Sequence, residues 1–229
     1  MKIFTNSYPR SGATTFSNAI RNSTYHLRPP FADELYNQND WVNKNHNPVI
    51  FLGTYPEDVV PVTIVKDPLD AITSNSFRWS KGHTGNVVHG SIIIDKDQIR
   101  NDTFLDEGMK RLIDHQMDQY LSYIFCYMQN PDNVVAFTYD QTQKNAVDCI
   151  KNIAVFANID PNDLQEDQIH FSISHPPHPT GEKTVMYHKI REYIQNSEKF
   201  VEVTREYNRA LDYIKAKQVN YPIKIEFNI

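Results

Sequence analysis

Apolar and polar positions along the chain alternate short β-branched runs with stretches of helical period. Lys2 to Tyr8 reads as a strand that leads into Pro9-Arg10-Ser11-Gly12, and Ala13 to Arg21 then has helical composition. Two more apolar runs, Pro48 to Leu52 and Val59 to Val65, are bounded by turn residues and rich in β-branched side chains, as strands buried on both faces are. Asp67-Pro68 opens a helix, since proline suits a first helical turn, and Leu69, Ile72, Thr73 and Ser76 share one side of it to about Trp79. Phe104 to Gln129 holds a helical period through Met109, Leu112, Ile113, Met117, Tyr120, Ile124 and Met128. Val134 to Tyr139 is the next predicted strand and Gln141 to Ala157 the next helix, and Val185 to Gln195 and Ser197 to Gln218 read as two closing helices.

The segments between are polar or punctuated. Thr24 to Asn47 is rich in Asn, Pro and aromatic residues with little periodicity, and reads as a long irregular connection with one short helix around Asp33 to Asn37. Ser80 to Asp102 holds three of the seven glycines, Gly82, Gly85 and Gly90, which marks a surface loop and candidate lid with a short strand at Ser91 to Ile94. Ser172 to Gly181 carries too many prolines for a helix or a central strand. Strands alternating with helices predict an α/β fold of three layers, a P-loop-type mainly parallel central sheet flanked by helices, in a single domain over residues 1–229.

A formal charge of -5 disfavours a nucleic-acid partner, which calls for a basic field, but it leaves room for a local basic pocket that takes a small phosphate-bearing molecule. Cys126 and Cys149 fall in helical stretches and form no zinc-like cluster, so both read as buried small hydrophobes and no metal is expected. No apolar run approaches the roughly 18 residues of a membrane span and the N-terminus lacks the order of a signal peptide, so the expectation is a cytoplasmic protein without a membrane partner.

The chemistry concentrates at Tyr8-Pro9-Arg10-Ser11-Gly12-Ala13-Thr14-Thr15. A compact turn, hydroxyls and free backbone N–H groups at a helix N-terminus make an anion cradle. It is not the Walker pattern G-x-x-x-x-G-K-[ST]: Ser7 stands where the first glycine would fall and Ala13 where the lysine would. These residues resemble the 5′-phosphosulfate loop of the sulfotransferase superfamily, close to Tyr-Pro-(Lys/Arg)-Ser-Gly-Thr-Thr-(Trp/aromatic), from which Ala13 and Thr15 depart. Lys66-Asp67-Pro68-Leu69-Asp70-Ala71-Ile72-Thr73-Ser74 resembles the family's 3′-phosphate motif, Arg-(Asn/Asp)-Pro-x-Asp-x-x-x-Ser, with Lys66 in the arginine's place. A strand-end cation and a hydroxyl about two helical turns later can converge on one phosphate. Phe137-Thr138-Tyr139-Asp140-Gln141 resembles the strand end Tyr-Glu-Asp-Leu, and His178-Pro179-Thr180-Gly181-Glu182-Lys183 occupies the place of a late loop that closes over the 3′-phosphate.

The resemblance implies a transferase that moves a sulfuryl group from 3′-phosphoadenosine 5′-phosphosulfate (PAPS) to a hydroxyl or amine of a small-molecule or carbohydrate acceptor, without a metal. It implies that Arg10 contacts the sulfonate and bridging oxygen, that Gly12, Ala13, Thr14 and Thr15 hold the 5′-phosphate with Ser11 also in the cofactor loop, that Lys66, Ser74, Gly181 and Lys183 serve the 3′-phosphate, and that Tyr139 lies near the adenine or the 3′-phosphate side. Many members take their base from the His of a Lys-Thr-His-Leu-Pro segment, and Leu52-Gly53-Thr54-Tyr55-Pro56 puts Thr54 there; other branches of the family use a carboxylate, and by that resemblance Glu57 and Asp58 are candidate bases. Two other readings stay open: a nucleotide or small-molecule kinase on the same sheet, which lacks its loop lysine here, and a non-catalytic nucleotide-binding protein of the same fold. The sequence encodes neither the acceptor nor the oligomeric state.

Overall fold

A computed structural model describes residues 2–27, 42–80, 88–89, 92–93, 105, 107–176 and 185–226. Strand β1 (Lys2–Asn6) is followed by helix α1 (Ala13–Thr24), then β2 (Val42–Asn45), β3 (Val59–Val65), α2 (Pro68–Ser80), and the two-residue strands β4 (Val88–His89) and β5 (Ile92–Ile93). Helix α3 (Glu107–Gln129), β6 (Val135–Thr138), α4 (Tyr139–Lys144), α5 (Ala146–Phe156), α6 (Glu166–Ser174), α7 (Val185–Gln195) and α8 (Glu198–Gln218) complete the order. The main sheet runs β2-β1-β3-β6 with every pairing parallel, and β4 and β5 form a separate antiparallel pair.

Both faces of the parallel sheet are covered, which is why β3 reads as an unbroken apolar run. On one face Val60, Val62, Ile64, Val135 and Phe137 pack with Phe16 and Ile20 of α1, Ile150 and Ile153 of α5 and Ile169 of α6. On the other, Val65 and Ala136 pack with Ile72 of α2, Leu112, Met117 and Tyr120 of α3, Ile190 of α7 and Ile214 of α8. The three-layer α/β reading of the sequence is the observed architecture. Among the described residues, no helix is long and apolar enough to cross a membrane.

Pro61 lies inside β3, and the register explains how. The Ile64 amide donates to Ser7 Oγ on the β1 side, so residue 61, an odd number of positions away, turns its missing N–H toward β6. The ladder with β6 begins only at Val62, so no hydrogen bond is lost.

Four local expectations are corrected. Pro48–Leu52 is a 3₁₀ turn and not a strand, because Pro48 starts it and the Asn47 side chain caps the Val49 amide. The strand is Val42–Asn45 instead, inside the stretch read as irregular; it is a polar edge strand in which only Val42 is buried. The helix expected over Gln141 to Ala157 breaks at Asn145, and its first piece starts at Tyr139 with a capping box between Thr138 and Gln141. Helix α6 covers Ser172–Ser174, the start of the proline-rich loop. The helix expected around Asp33 to Asn37 lies outside the described residues.

β6 would leave a free edge in this sheet, and the segment after α8 covers it. The Tyr221 hydroxyl accepts from the Ala136 amide at 2.9 Å, and Gln218 Nε2 donates to the Ala136 carbonyl at 2.9 Å. Tyr221→Phe strands a buried amide, at a cost of about 1–3 kcal/mol. Urea denaturation should show a lower midpoint with an unchanged slope. An unchanged midpoint would mean that Tyr221 is not what satisfies this edge.

Candidate active site

The C-terminal ends of the parallel strands open on one edge of the sheet, and the chain leaves each of them with a polar or charged residue. After β1 the chain turns tightly: Arg10 has φ 67° and Gly12 has φ 81°, and Tyr8 turns inward. Tyr8 is buried edge-on against the rings of Tyr120 and Tyr123, and its hydroxyl donates to Gln116 Oε1 at 2.8 Å. That anchor fixes the start of the loop. At its end a Cβ on Gly12 would lie 2.7 Å from Tyr139 Cε2, so the close approach as well as the left-handed backbone requires glycine.

The Phe16 amide bonds to the Gly12 carbonyl as the first helical bond of α1, and Gly12 has no side chain to cap the turn. The amides of Ala13, Thr14 and Thr15 are therefore left to an external acceptor, at the positive end of the helix dipole. Ser11 is buried, and its Oγ has no partner among the described residues.

These residues face a cavity of about 690 Å³, lined also by Lys44, His46, Lys66, Ser74, Arg78 and Tyr139. Lys66 Nζ lies 4.3 Å from the centre of the Tyr139 ring, a cation–π contact. Arg10 Nε donates to Ser74 Oγ at 3.2 Å, which joins the loop after β1 to helix α2. The structure thus brings Arg10, Gly12, Ala13, Thr14, Thr15, Lys66, Ser74 and Tyr139 to one cavity, with Ser11 beneath the loop. Gly181 and Lys183 lie outside the described residues.

Glu57 and Asp58 are not at this cavity. Both are exposed in the turn that precedes β3, and the Asp58 carbonyl accepts from Lys2 at the start of β1. The seven residues of β3 put them about 20 Å away at a strand's rise of ~3.3 Å per residue. Thr54, in the same connection, is exposed and does not line the cavity.

Sequence reasoning missed two residues that do line it. Lys44 and His46 stand at the end of β2, and Lys44-Asn45-His46-Asn47-Pro48 keeps the Lys, His and Pro spacing of the Lys-Thr-His-Leu-Pro segment. That spacing was the available signal, hidden because the polar β2 does not read as a strand. Lys44 Nζ donates to Thr14 Oγ1 at 2.8 Å. His46 Nδ1 lies 2.6 Å from the Ser7 carbonyl. A carbonyl only accepts, so Nδ1 carries the proton and Nε2 keeps its lone pair.

The electrostatics mark an anion site. Burial pushes the pKa values of Arg10, Lys44, His46 and Lys66 down. Arg78 lowers the first three further, and Arg10 lowers Lys66. Among the described residues, none that lines the cavity is an Asp or Glu. In a chain of net charge -5, cations gathered without carboxylates gain most from a bound polyanion.

The sequence matches no protein-family model and no curated protein. The fold is similar to that in the crystal structure of mouse sulfotransferase SULT7A1 complexed with PAP, at a TM-score of 0.52 and 17% identity, over 96% of this chain and 88% of that one. A retinol dehydratase in complex with androsterone and inactive cofactor PAP aligns at a TM-score of 0.46 and 12% identity, over 97% of this chain and 82% of that one. A sulfotransferase from Alicyclobacillus acidocaldarius aligns at 0.42 and 10%, over 94% and 95%. With its parallel sheet, the tight turn after the first strand and helices on both faces, this chain has the fold of the sulfotransferases.

Proposed function

We propose that the protein transfers a sulfuryl group from PAPS to a hydroxyl or amine acceptor. One observation carries the reading: the cradle at the head of α1, the Lys66 and Ser74 pair and the Lys44-x-His46 pair, from three separate strand ends, line the same cavity, which has no Asp or Glu among its described residues. PAPS would supply an activated sulfate on a nucleotide with two separate phosphate positions. The residues fit such a donor: uncapped amides and the orphaned Ser11 hydroxyl for the 5′ side, and Lys66 with Ser74 for the 3′-phosphate.

In this reading His46 is the general base. The Ser7 carbonyl fixes the tautomer, and burial together with Lys44 and Arg78 holds the imidazole below its ordinary 6.5, so it is unprotonated at neutral pH. The acceptor's proton passes to Nε2 as its oxygen or nitrogen bonds to sulfur, while the bond from sulfur to the bridging oxygen breaks. Arg10 and Lys44 meet the charge that collects on the departing phosphate.

Calorimetric titration with PAP, 3′,5′-adenosine bisphosphate, against ATP with magnesium tests the donor. PAP should bind tighter, and Arg10→Ala and Lys66→Ala should each weaken it about 10- to 100-fold, the value of one charged hydrogen bond. Preference for magnesium-ATP would favour a kinase. No binding of either would sink the transfer reading.

The base is tested by NMR without an acceptor. The His46 imidazole should titrate below 6.5 with its proton on Nδ1, and Lys44→Met should raise that pKa by removing a neighbouring positive charge. Transfer should then keep its activity as the pH falls until the depressed pKa is reached. A midpoint at or above 6.5 would argue against a base tuned in this way.

A further inference from the structure

Arg78 is a cation beyond those that the nucleotide reading uses. It lies on α2 four residues after Ser74, so the two side chains project from the same face one turn apart. Ser74 is tied to Arg10, and Arg78 is the next group along the cavity wall. Along α2 it sits four residues beyond Ser74, about 6 Å at a rise of ~1.5 Å per residue, on the side away from Lys66. Its charge acts on Lys44, His46 and Arg10, whereas the charged groups that act on Lys66 are Asp70, Arg10, Asp67 and Asp140. Arg78 thus belongs to the side of the cavity that holds His46, the base proposed to meet the acceptor.

The guanidinium is exposed at the cavity and makes no hydrogen bond or ion pair among the described residues. The described wall of the cavity is mixed, with Asn75, Gln119 and Ser122 beside Trp79 and Tyr123. An arginine presents a planar fork of donors that matches a carboxylate or another oxyanion. A neutral acceptor offers that fork only uncharged oxygens, whose hydrogen bonds are about half as strong as those of an oxyanion.

Resting on the transfer reading, we infer that the acceptor is a polar hydroxyl compound with an anionic group, and that Arg78 binds this group and so sets acceptor specificity.

The test compares two probes of the same size that differ by one carboxylate, p-nitrophenyl β-D-glucuronide and p-nitrophenyl β-D-glucoside. Each is titrated into the PAP-saturated protein and into its Arg78→Gln variant, with PAP affinity measured for both proteins first. The parent should bind the glucuronide at least about 10-fold tighter than the glucoside, as one charge-assisted pair allows. In Arg78→Gln that preference should disappear while PAP affinity falls far less than in Arg10→Ala. Three results overturn the inference: equal or absent binding of the two probes to a PAP-saturated parent, a preference that survives in Arg78→Gln, or a loss of PAP affinity comparable to that of Arg10→Ala, which would make Arg78 part of the nucleotide site. A parent that binds no PAP sinks the transfer reading itself, and the inference falls with it.

Discussion

Ser7 is where three strands are tied together, and the geometry of the cavity follows from it. The residue is fully buried, and each of its polar groups has a partner on a different neighbour. Its amide donates to the Asn45 carbonyl at 3.4 Å, its carbonyl accepts a hydrogen bond from His46 Nδ1, and its Oγ accepts from the Ile64 amide at 2.9 Å. Asn6 adds a bond from Nδ2 to the Asn47 carbonyl at 2.8 Å. The ends of β1, β2 and β3 are therefore held at one level, and the Arg10 to Gly12 turn, the histidine and the Lys66 turn leave from a common edge. Buried polar groups hold a structure in one arrangement when all of them are satisfied.

The second constraint is electrostatic. Holding Arg10, Lys44, His46 and Lys66 near one another and partly out of water is unfavourable in the protein alone, as their depressed pKa values record. The cost is sustained by a scaffold assembled elsewhere: the two hydrophobic layers on either side of the sheet and the anchor of Tyr8 among Gln116, Tyr120 and Tyr123. Stability resides in the layers and binding capacity at the strand ends, so the two can vary separately.

The scaffold was legible in the sequence where burial is two-sided. β3 and the helices α2, α3, α7 and α8 carry dense apolar periods, and they were expected within a few residues of where they lie. What was not legible comes from local competition. β2 has one buried side chain and so no pattern to show, while the apolar Pro48–Leu52 run looks like a strand although its side chains serve a 3₁₀ turn against α3. That exchange moved the Lys-x-His spacing out of register by eight residues, onto Thr54 rather than His46, and drew attention to Glu57 and Asp58 at the wrong end of β3. The phosphate loop and the Lys66 to Ser74 stretch were readable because their chemistry is carried by contiguous residues. The break at Asn145 and the helix at Glu166–Ser174 depend on tertiary packing that periodicity does not record.

The contact between Gly12 and Tyr139 has a consequence for how this chain can change. The ring of Tyr139 occupies the space that any larger residue at position 12 would need, and the same ring lies under Lys66. Positions 12, 66 and 139 are thus mutually epistatic: a change at one alters which residues the other two tolerate, and their effects will not add. A drifting lineage must therefore alter the loop, the strand-end cation and the aromatic in concert, or leave all three alone.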